Sequence, residues 1–161
     1  LAEPINEILV ICYGNIMRSP FAVNLLKKKL QQLGTHVAVN GAGFHQLENR
    51  PSPERCILEA NKWDVDLNDH RSSWLSQSMI KSHGQLIIYF DLKHEYLLDS
   101  YYNNYRALNL AHFVPPPAGP LKEIVDPYDG SPEALEQCYL NINSALDELL
   151  ITLTEAGSIT K

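Results

Sequence analysis

Apolar residues follow two alternating patterns along the chain, one typical of buried strands and the other of amphipathic helices. Short apolar runs predict strands at residues 5–12 (INEILVIC), 36–39 (HVAV), 85–90 (QLIIYF) and 107–113 (ALNLAHF). Apolar residues at helical spacing predict helices over residues 19–33, 94–102 and 132–154. Because strands alternate with helices, we expect a parallel sheet covered on both faces.

The dipeptide Ser-Pro marks three predicted helix starts, at Ser19, Ser52 and Ser131. A serine side chain can cap the first turn, and a proline after it suits the first helical position. At the second and third starts a glutamate follows, which favours the positive end of a helix. We therefore predict three helix starts, at each of which the serine can act as the N-cap.

The composition fits one globular domain over residues 1–161, since the chain is 45% apolar and has no repeat or linker. Its 13 basic and 19 acidic residues give a net charge of −6, and their scatter argues against bulk binding of nucleic acid. The apolar runs are too short to span a bilayer, and the N-terminal residues lack the pattern of a secretory signal. We predict a cytoplasmic protein that does not insert into a membrane.

The three cysteines, Cys12, Cys56 and Cys138, lie far apart, which predicts neither a disulfide framework nor a paired metal or redox site. Cys56 and Cys138 occupy apolar positions on predicted helices and are expected to be inert core thiols. The six histidines show no metal-ligand spacing, so we expect no metal. Cys12 differs, because it ends the first predicted strand.

The segment CYGNIMRSP, residues 12–20, begins at the last residue of that strand. It continues with a predicted turn and the guanidinium of Arg18. In an open parallel sheet the turn after the first strand is a common anion site. The backbone N–H groups of this turn can bind a phosphate, and the positive N-terminus of the next helix points at the same place. Gly14 and Asn15 tolerate the backbone conformations that so tight a loop requires. Arg18 can bind two phosphate oxygens, and these positive surroundings favour the thiolate of Cys12, a nucleophile.

A second motif, VDPYDG at residues 125–130, supplies a carboxyl group. A phosphoryl group leaving tyrosine requires a proton on the departing oxygen, and Asp126 can donate it from a loop across the pocket. Pro127 restricts the aspartate to extended backbone, and Tyr128 can stack on an aryl ring. The motif therefore predicts a general acid beside an aromatic wall.

Both motifs resemble those of the low-molecular-weight protein tyrosine phosphatases, whose signature is a cysteine, five residues, an arginine and a serine or threonine. The segments 39–44 (VNGAGF) and 64–72 (DVDLNDHRS) resemble two further family segments, so the similarity spans most of residues 5–150. It implies an α/β fold in a single domain, with a four-stranded parallel sheet flanked by helices on both faces and a phosphate-binding loop after the first strand.

The resemblance implies a protein-tyrosine phosphatase, a hydrolase that forms a cysteinyl-phosphate on Cys12 and requires neither metal nor cofactor. Arg18 would bind the phosphate, Asp126 would act as acid and then base, and His70 would support the loop. Contacts to the substrate or to the reacting sulfur are expected from the remaining loop residues and the facing wall: Tyr13, Gly14, Asn15, Ile16, Met17, Ser19 and Tyr128.

Three positions depart from the family pattern. Met17 stands where a second cysteine is common, Gly41 where a serine is common, and Asp129 where eukaryotic members have an aromatic residue. In the family that serine helps a histidine, matched by His70, to hold the loop asparagine. Gly41 is therefore expected to weaken the support of Asn15.

Several alternatives stay open. A phosphotyrosine-binding module with weak catalysis would fit Met17 and Gly41. Arginine phosphatase relatives have threonine where this chain has Ile16, which favours phosphotyrosine. Arsenate reductases share the loop but use a close pair of downstream cysteines, which Cys56 and Cys138 do not form.

The expected partner is a phosphotyrosine-containing protein, and the expected product is inorganic phosphate. Asp129 beside Tyr128 is more typical of bacterial members. The resemblance therefore implies a bacterial member that acts on a tyrosine autokinase and regulates exopolysaccharide export.

Overall fold

A four-stranded parallel sheet organises the computed structural model, which describes residues 3–160. Its strands are β1 (Glu7–Cys12), β2 (Ala38–Gly43), β3 (Gln85–Tyr89) and β4 (Ala107–Asn109). They lie in the order β2-β1-β3-β4, and each neighbouring pair is parallel. The predicted α/β fold class is confirmed. The ends of the predicted domain, residues 1, 2 and 161, lie outside the described residues.

Helices follow or connect these strands. They are α1 (Arg18–Gln32), α2 (Glu54–Asn61), α3 (Leu92–Tyr101) and α4 (Pro132–Glu155), with short 3₁₀ turns at Gln77–Met79 and Leu110–Phe113. Within residues 3–160, none of the helices combines the length and the apolar character needed to cross a bilayer.

Side chains of β1 alternate between two hydrophobic clusters on opposite faces of the sheet. Ile8 and Val10 lie in the larger cluster, with buried residues of α1, α2 and α4. Leu9 and Ile11 lie in the smaller cluster, with Leu98 of α3. Helices therefore cover both faces of the sheet, as predicted.

β2 and β4 differ most from their predicted bounds. β2 begins later and extends to Gly43, because it pairs with β1 through Cys12 even where its residues are not apolar. β4 ends at Asn109, whose side chain accepts from the Ala111 N–H at 3.0 Å and donates to the Lys122 carbonyl at 2.9 Å. Those bonds turn the chain into a 3₁₀ turn where the sequence predicted more strand.

Only one of the three predicted serine caps is present. Ser131 Oγ accepts from the Ala134 N–H at 3.2 Å at the start of α4. α1 begins one residue before Ser19, whose hydroxyl contacts the Cys12 sulfur instead. α2 begins at Glu54, and Ser52 does not cap it. All three predicted helix starts are therefore confirmed to within two residues, but a serine side chain caps its helix only at Ser131.

Contacts with β2 and α4 fix the loop after β1. A Cβ atom at Gly43 would lie 2.7 Å from the Tyr13 carbonyl oxygen and 2.9 Å from the Asn15 nitrogen, so only glycine allows this approach. On the other side, the Tyr139 hydroxyl of α4 donates to the Met17 carbonyl at 2.9 Å. The predicted phosphate-binding loop is thus held between a strand end and a helix.

Candidate active site

The loop between β1 and α1 places the Cys12 sulfur in a buried network centred on Asn15. Asn15 has a φ of 56°, a left-handed conformation that asparagine tolerates better than most residues. Its backbone N–H donates to Cys12 Sγ at 3.2 Å, and its side-chain amide donates to Ser19 Oγ at 2.7 Å. Ser19 Oγ lies 3.0 Å from Cys12 Sγ, and since it accepts from Asn15, its hydrogen is free to point at the sulfur.

Two groups behind the loop hold Asn15 in this position. The Ser73 N–H donates to Asn15 Oδ1 at 2.9 Å, which orients the side-chain amide. His70 Nε2 lies 2.6 Å from the Asn15 carbonyl oxygen and must donate to it. Burial lowers the pKa of His70, so the ring makes this contact as neutral imidazole. The Asn15 amide is therefore bonded at both ends although Gly41 supplies no hydroxyl.

The Arg18 guanidinium is buried and held from several sides. Nη1 donates to Asp91 Oδ2 and to the Ile124 carbonyl, both at 2.8 Å. Burial opposes the charge, but the Cys12 sulfur and the Asp91 carboxylate outweigh it and raise the pKa of Arg18. The sequence analysis missed Asp91, although its place just after β3, at the carboxyl end of the sheet, was a usable signal.

His94 is a second residue that the sequence analysis missed. Its ring is fully buried in α3, with Nε2 lying 3.2 Å from Arg18 Nη2 and Nδ1 accepting from the Phe90 N–H at 3.2 Å. A protonated ring would place a donor against the Arg18 guanidinium and another against the Phe90 N–H, and the Asp91 carboxylate, 3.5 Å from Nδ1, would offset this only in part. Burial, followed by the charge of Arg18, lowers the pKa of His94 to about 3.

The Asp126 carboxyl group reaches the same place from the opposite loop. Its Oδ2 lies 3.5 Å from Arg18 Nη2, and its Oδ1 accepts from the Tyr128 N–H at 3.0 Å. The Asp126 side chain is about half exposed, unlike that of Arg18. The carboxyl group is therefore oriented by its own loop and open to solvent.

Arg55 of α2 holds the backbone of this loop. Its Nη2 donates to the Pro127 carbonyl at 2.7 Å and to the Tyr128 carbonyl at 2.6 Å, and its Nη1 to the Gly130 carbonyl at 3.4 Å. These carbonyl groups face α2, which leaves Asp126 facing Arg18. The sequence carried no local signal for Arg55, because its partners lie more than 70 residues away.

Cys12, Arg18 and Asp126 line a single cavity of about 590 Å³. Eight of the predicted site residues line it: Cys12, Tyr13, Gly14, Ile16, Met17, Arg18, Asp126 and Tyr128. Asn15 and Ser19 are buried behind the loop, where they contact Cys12. His45 and Arg50, which the sequence analysis missed, also line the cavity, and Arg50 Nη2 donates to the Gly14 carbonyl at 2.8 Å.

The other two cysteines lie in the core, as expected. Cys56 on α2 and Cys138 on α4 are buried. Burial raises the pKa of Cys56 and raises that of Cys138 to about 12, so both side chains are thiols at neutral pH.

The family of the chain follows from comparison with known sequences. Residues 7–158 match the model of the family described as low molecular weight phosphotyrosine protein phosphatase. The probable low molecular weight protein-tyrosine-phosphatase AmsI of Erwinia amylovora is 30% identical over 152 residues, which are 93% of this chain and 99% of that protein. The protein-arginine-phosphatase of Bacillus subtilis is 27% identical over 92% of this chain and 95% of its own length.

Solved structures share the fold. The tyrosine phosphatase Wzb from Escherichia coli K30, in complex with sulphate, superposes with a TM-score of 0.81 at 26% identity. The match covers 92% of this chain and 99% of that one.

The buried ring of His94 makes stability depend on pH. Its pKa is lowered from an ordinary 6.5 to about 3, so below pH 6.5 the unfolded chain binds a proton that the folded chain does not. The contribution of His94 is complete above pH 6.5 and falls with pH, by up to about 1.4 kcal/mol per unit. Urea unfolding at pH 7, 6 and 5 should show this loss, with a smaller loss in His94→Gln.

His36→Gln is the matched control, because the His36 side chain is exposed. It should keep the wild-type dependence on pH. An equal dependence in wild type and His94→Gln would contradict the assignment.

Proposed function

Because the chain belongs to the low molecular weight phosphotyrosine protein phosphatase family and is a protein-tyrosine phosphatase, we propose that it hydrolyses phosphotyrosine through a cysteinyl-phosphate on Cys12. The observation that supports this most directly is that Cys12, Arg18 and Asp126 line one cavity. A sulfur nucleophile, a fixed cation and a proton donor are sufficient for phosphoryl transfer without a metal.

In the first step the Cys12 thiolate attacks phosphorus and forms the S–P bond, while the bond from phosphorus to the tyrosine oxygen breaks. Asp126 transfers its proton to that oxygen, so the product leaves as neutral tyrosine. Arg18 and the N–H groups of the loop hold the other three phosphate oxygens. Wzb, which has the same fold, forms a complex with sulphate, a tetrahedral anion of similar size, and this supports binding of such an anion by the fold.

In the second step Asp126, now a carboxylate, takes a proton from a water molecule. The water oxygen attacks phosphorus, the S–P bond breaks, and inorganic phosphate leaves. The electron pair returns to Cys12 as thiolate, and the hydrogen bond from Ser19 at 3.0 Å stabilises that charge. The Asn15 N–H, 3.2 Å from the sulfur, adds a second donor.

Phosphotyrosine is favoured over phosphoarginine by the walls of the cavity. Ile16 and Tyr128 line it and present an apolar side chain and an aromatic ring to a flat aryl group. The protein-arginine-phosphatase relative makes phosphoarginine the alternative substrate. Turnover of phosphotyrosine and phosphoarginine peptides of the same sequence, in the presence of a chelator, separates the two substrates and tests independence from metal.

The substrate of the family is a phosphotyrosine-containing protein. Here it is proposed to be a bacterial tyrosine autokinase of exopolysaccharide export, on which the enzyme acts in the cytoplasm. The pair Tyr128 and Asp129 supports a bacterial setting, and the relatives described above are bacterial.

Cys12→Ser should abolish turnover of p-nitrophenyl phosphate but keep binding of inorganic phosphate, since the loop N–H groups and Arg18 stay in place. Steady-state assays and calorimetry measure the two properties. Cys56→Ala is the control and should keep activity, because that thiol is buried outside the cavity. If the Cys12→Ser protein kept a tenth of wild-type activity, the assignment of Cys12 as the nucleophile would be refuted.

Asp126→Ala should slow hydrolysis of phenyl phosphate by about 10²- to 10⁴-fold, because phenol is a poor leaving group that requires a proton. The loss should be much smaller for 2,4-dinitrophenyl phosphate, whose leaving group departs as an anion. Comparison of kcat/KM across such aryl phosphates measures this dependence. An equal loss on both substrates would show that Asp126 only positions the substrate.

Arg55→Met should act through Asp126, because it removes the hydrogen bonds that fix the 126–130 loop. We expect kcat/KM for phenyl phosphate to fall by about 10- to 100-fold, with little change for 2,4-dinitrophenyl phosphate. Adding Arg55→Met to Asp126→Ala should cause no further loss. Lys62→Met, at the end of α2, is the control. If Arg55→Met lowered kcat/KM equally in the wild-type protein and in Asp126→Ala, a positioning role for Arg55 would be excluded.

A further inference from the structure

A second concave surface of about 620 Å³ adjoins the active-site cavity, and Tyr13 lines both. Its walls include Phe44, Trp74, Tyr101 and Tyr102, and we call it the aromatic groove. The Lys93 ammonium lies 4.0 Å from the centre of the Tyr13 ring, a contact that stabilises the shared wall. A chain that enters the cavity can therefore continue into the groove past a single side chain.

Backbone contacts make the aromatic groove a fixed surface. Trp74 pairs with Gly43 in an isolated parallel bridge, and the Leu75 N–H donates to the Gly43 carbonyl at 2.7 Å. The Tyr102 hydroxyl at the end of α3 donates to the Leu75 carbonyl at 2.8 Å. The end of β2, the segment that contains Trp74 and Leu75, and the end of α3 are thus tied together. A preformed surface binds a ligand with little loss of its own entropy.

The aromatic groove exposes rings that a monomer ordinarily covers. Trp74 is 43% exposed, Tyr101 is 73% exposed and Tyr13 is 37% exposed. Tyrosine and tryptophan are enriched at the centres of protein interfaces, where they contribute much of the binding energy. Among the described residues, no charged side chain lines the groove. Away from the Tyr13 wall, where Lys93 lies, a charged occupant would lose water without gaining an ion pair.

We propose that the aromatic groove binds an aromatic or large aliphatic side chain of the substrate protein, two or three residues from the phosphorylated tyrosine. This inference rests on the proposed hydrolysis of phosphotyrosine proteins. Two or three extended residues span about 7–10 Å, enough to pass the Tyr13 side chain that separates the two surfaces. The groove thereby selects the segment around the phosphate, and the cavity selects the phosphorylated residue.

Two exposed tyrosines of α3 provide a matched test. Tyr101 lines the aromatic groove, whereas Tyr96, 69% exposed on the same helix, does not. The substrates are phosphotyrosine peptides with phenylalanine or serine at positions two and three on either side, and p-nitrophenyl phosphate. For phenylalanine peptides, Tyr101→Ser and Trp74→Ala should each lower kcat/KM about 10-fold. Serine peptides and p-nitrophenyl phosphate should be unaffected, and Tyr96→Ser should match wild type on every substrate.

Peptide binding to the Cys12→Ser protein separates this inference from the proposed reaction. Its Kd should be about 10-fold lower for phenylalanine than for serine peptides, and the difference should vanish when Tyr101→Ser is added. Equal Kd values would overturn the inference even if hydrolysis is normal. Failure of hydrolysis with a retained difference in Kd would overturn only the proposed reaction. A dimer in sedimentation that Tyr101→Ser dissociates would show that a second copy occupies the groove.

Discussion

The active site depends on the hydrogen bonds of one buried residue, Asn15. Its amide and backbone bond to Cys12, Ser19, Ser73 and His70. A buried polar group left without a partner costs about 1–3 kcal/mol, so these bonds are strongly favoured as a set. The partners belong to β1, to α1 and to the segment beside the end of β2. The same bonds that satisfy Asn15 therefore hold the sulfur, the first helix and the supporting segment in one arrangement.

The buried charge of Arg18 imposes a second constraint, which links the two halves of the site. A guanidinium away from water requires acceptors on several sides, and here Asp91 and the Ile124 carbonyl provide them. Ile124 lies two residues before Asp126 in the chain. The contact that stabilises the cation thus brings Asp126, the proposed proton donor, to the cavity. Arg55 completes the placement from α2.

The parts of the site that could be predicted from sequence are those whose residues are close in the chain. Cys12, Arg18 and Ser19 lie on one strand, loop and helix start, so their spacing alone indicated an anion site. Arg55 acts on partners more than 70 residues away, and no local pattern encodes such a contact. Asp91 also contacts a distant residue, Arg18, and only its place at the carboxyl end of β3 pointed to the site. Ser19 also lies at a predicted helix start, where its hydroxyl could have capped α1. Its residue type suits a cap, but the tertiary contact with the thiol takes its hydroxyl.

Burial divides the site into two parts with different tolerance to change. Asn15 and Arg18 are almost fully buried, and each has partners whose loss would leave a polar group or a charge unpaired. Tyr128 and Trp74 are exposed, so substitutions there cost little stability. Specificity for the surrounding protein can therefore change at the exposed rings while the buried half stays constant.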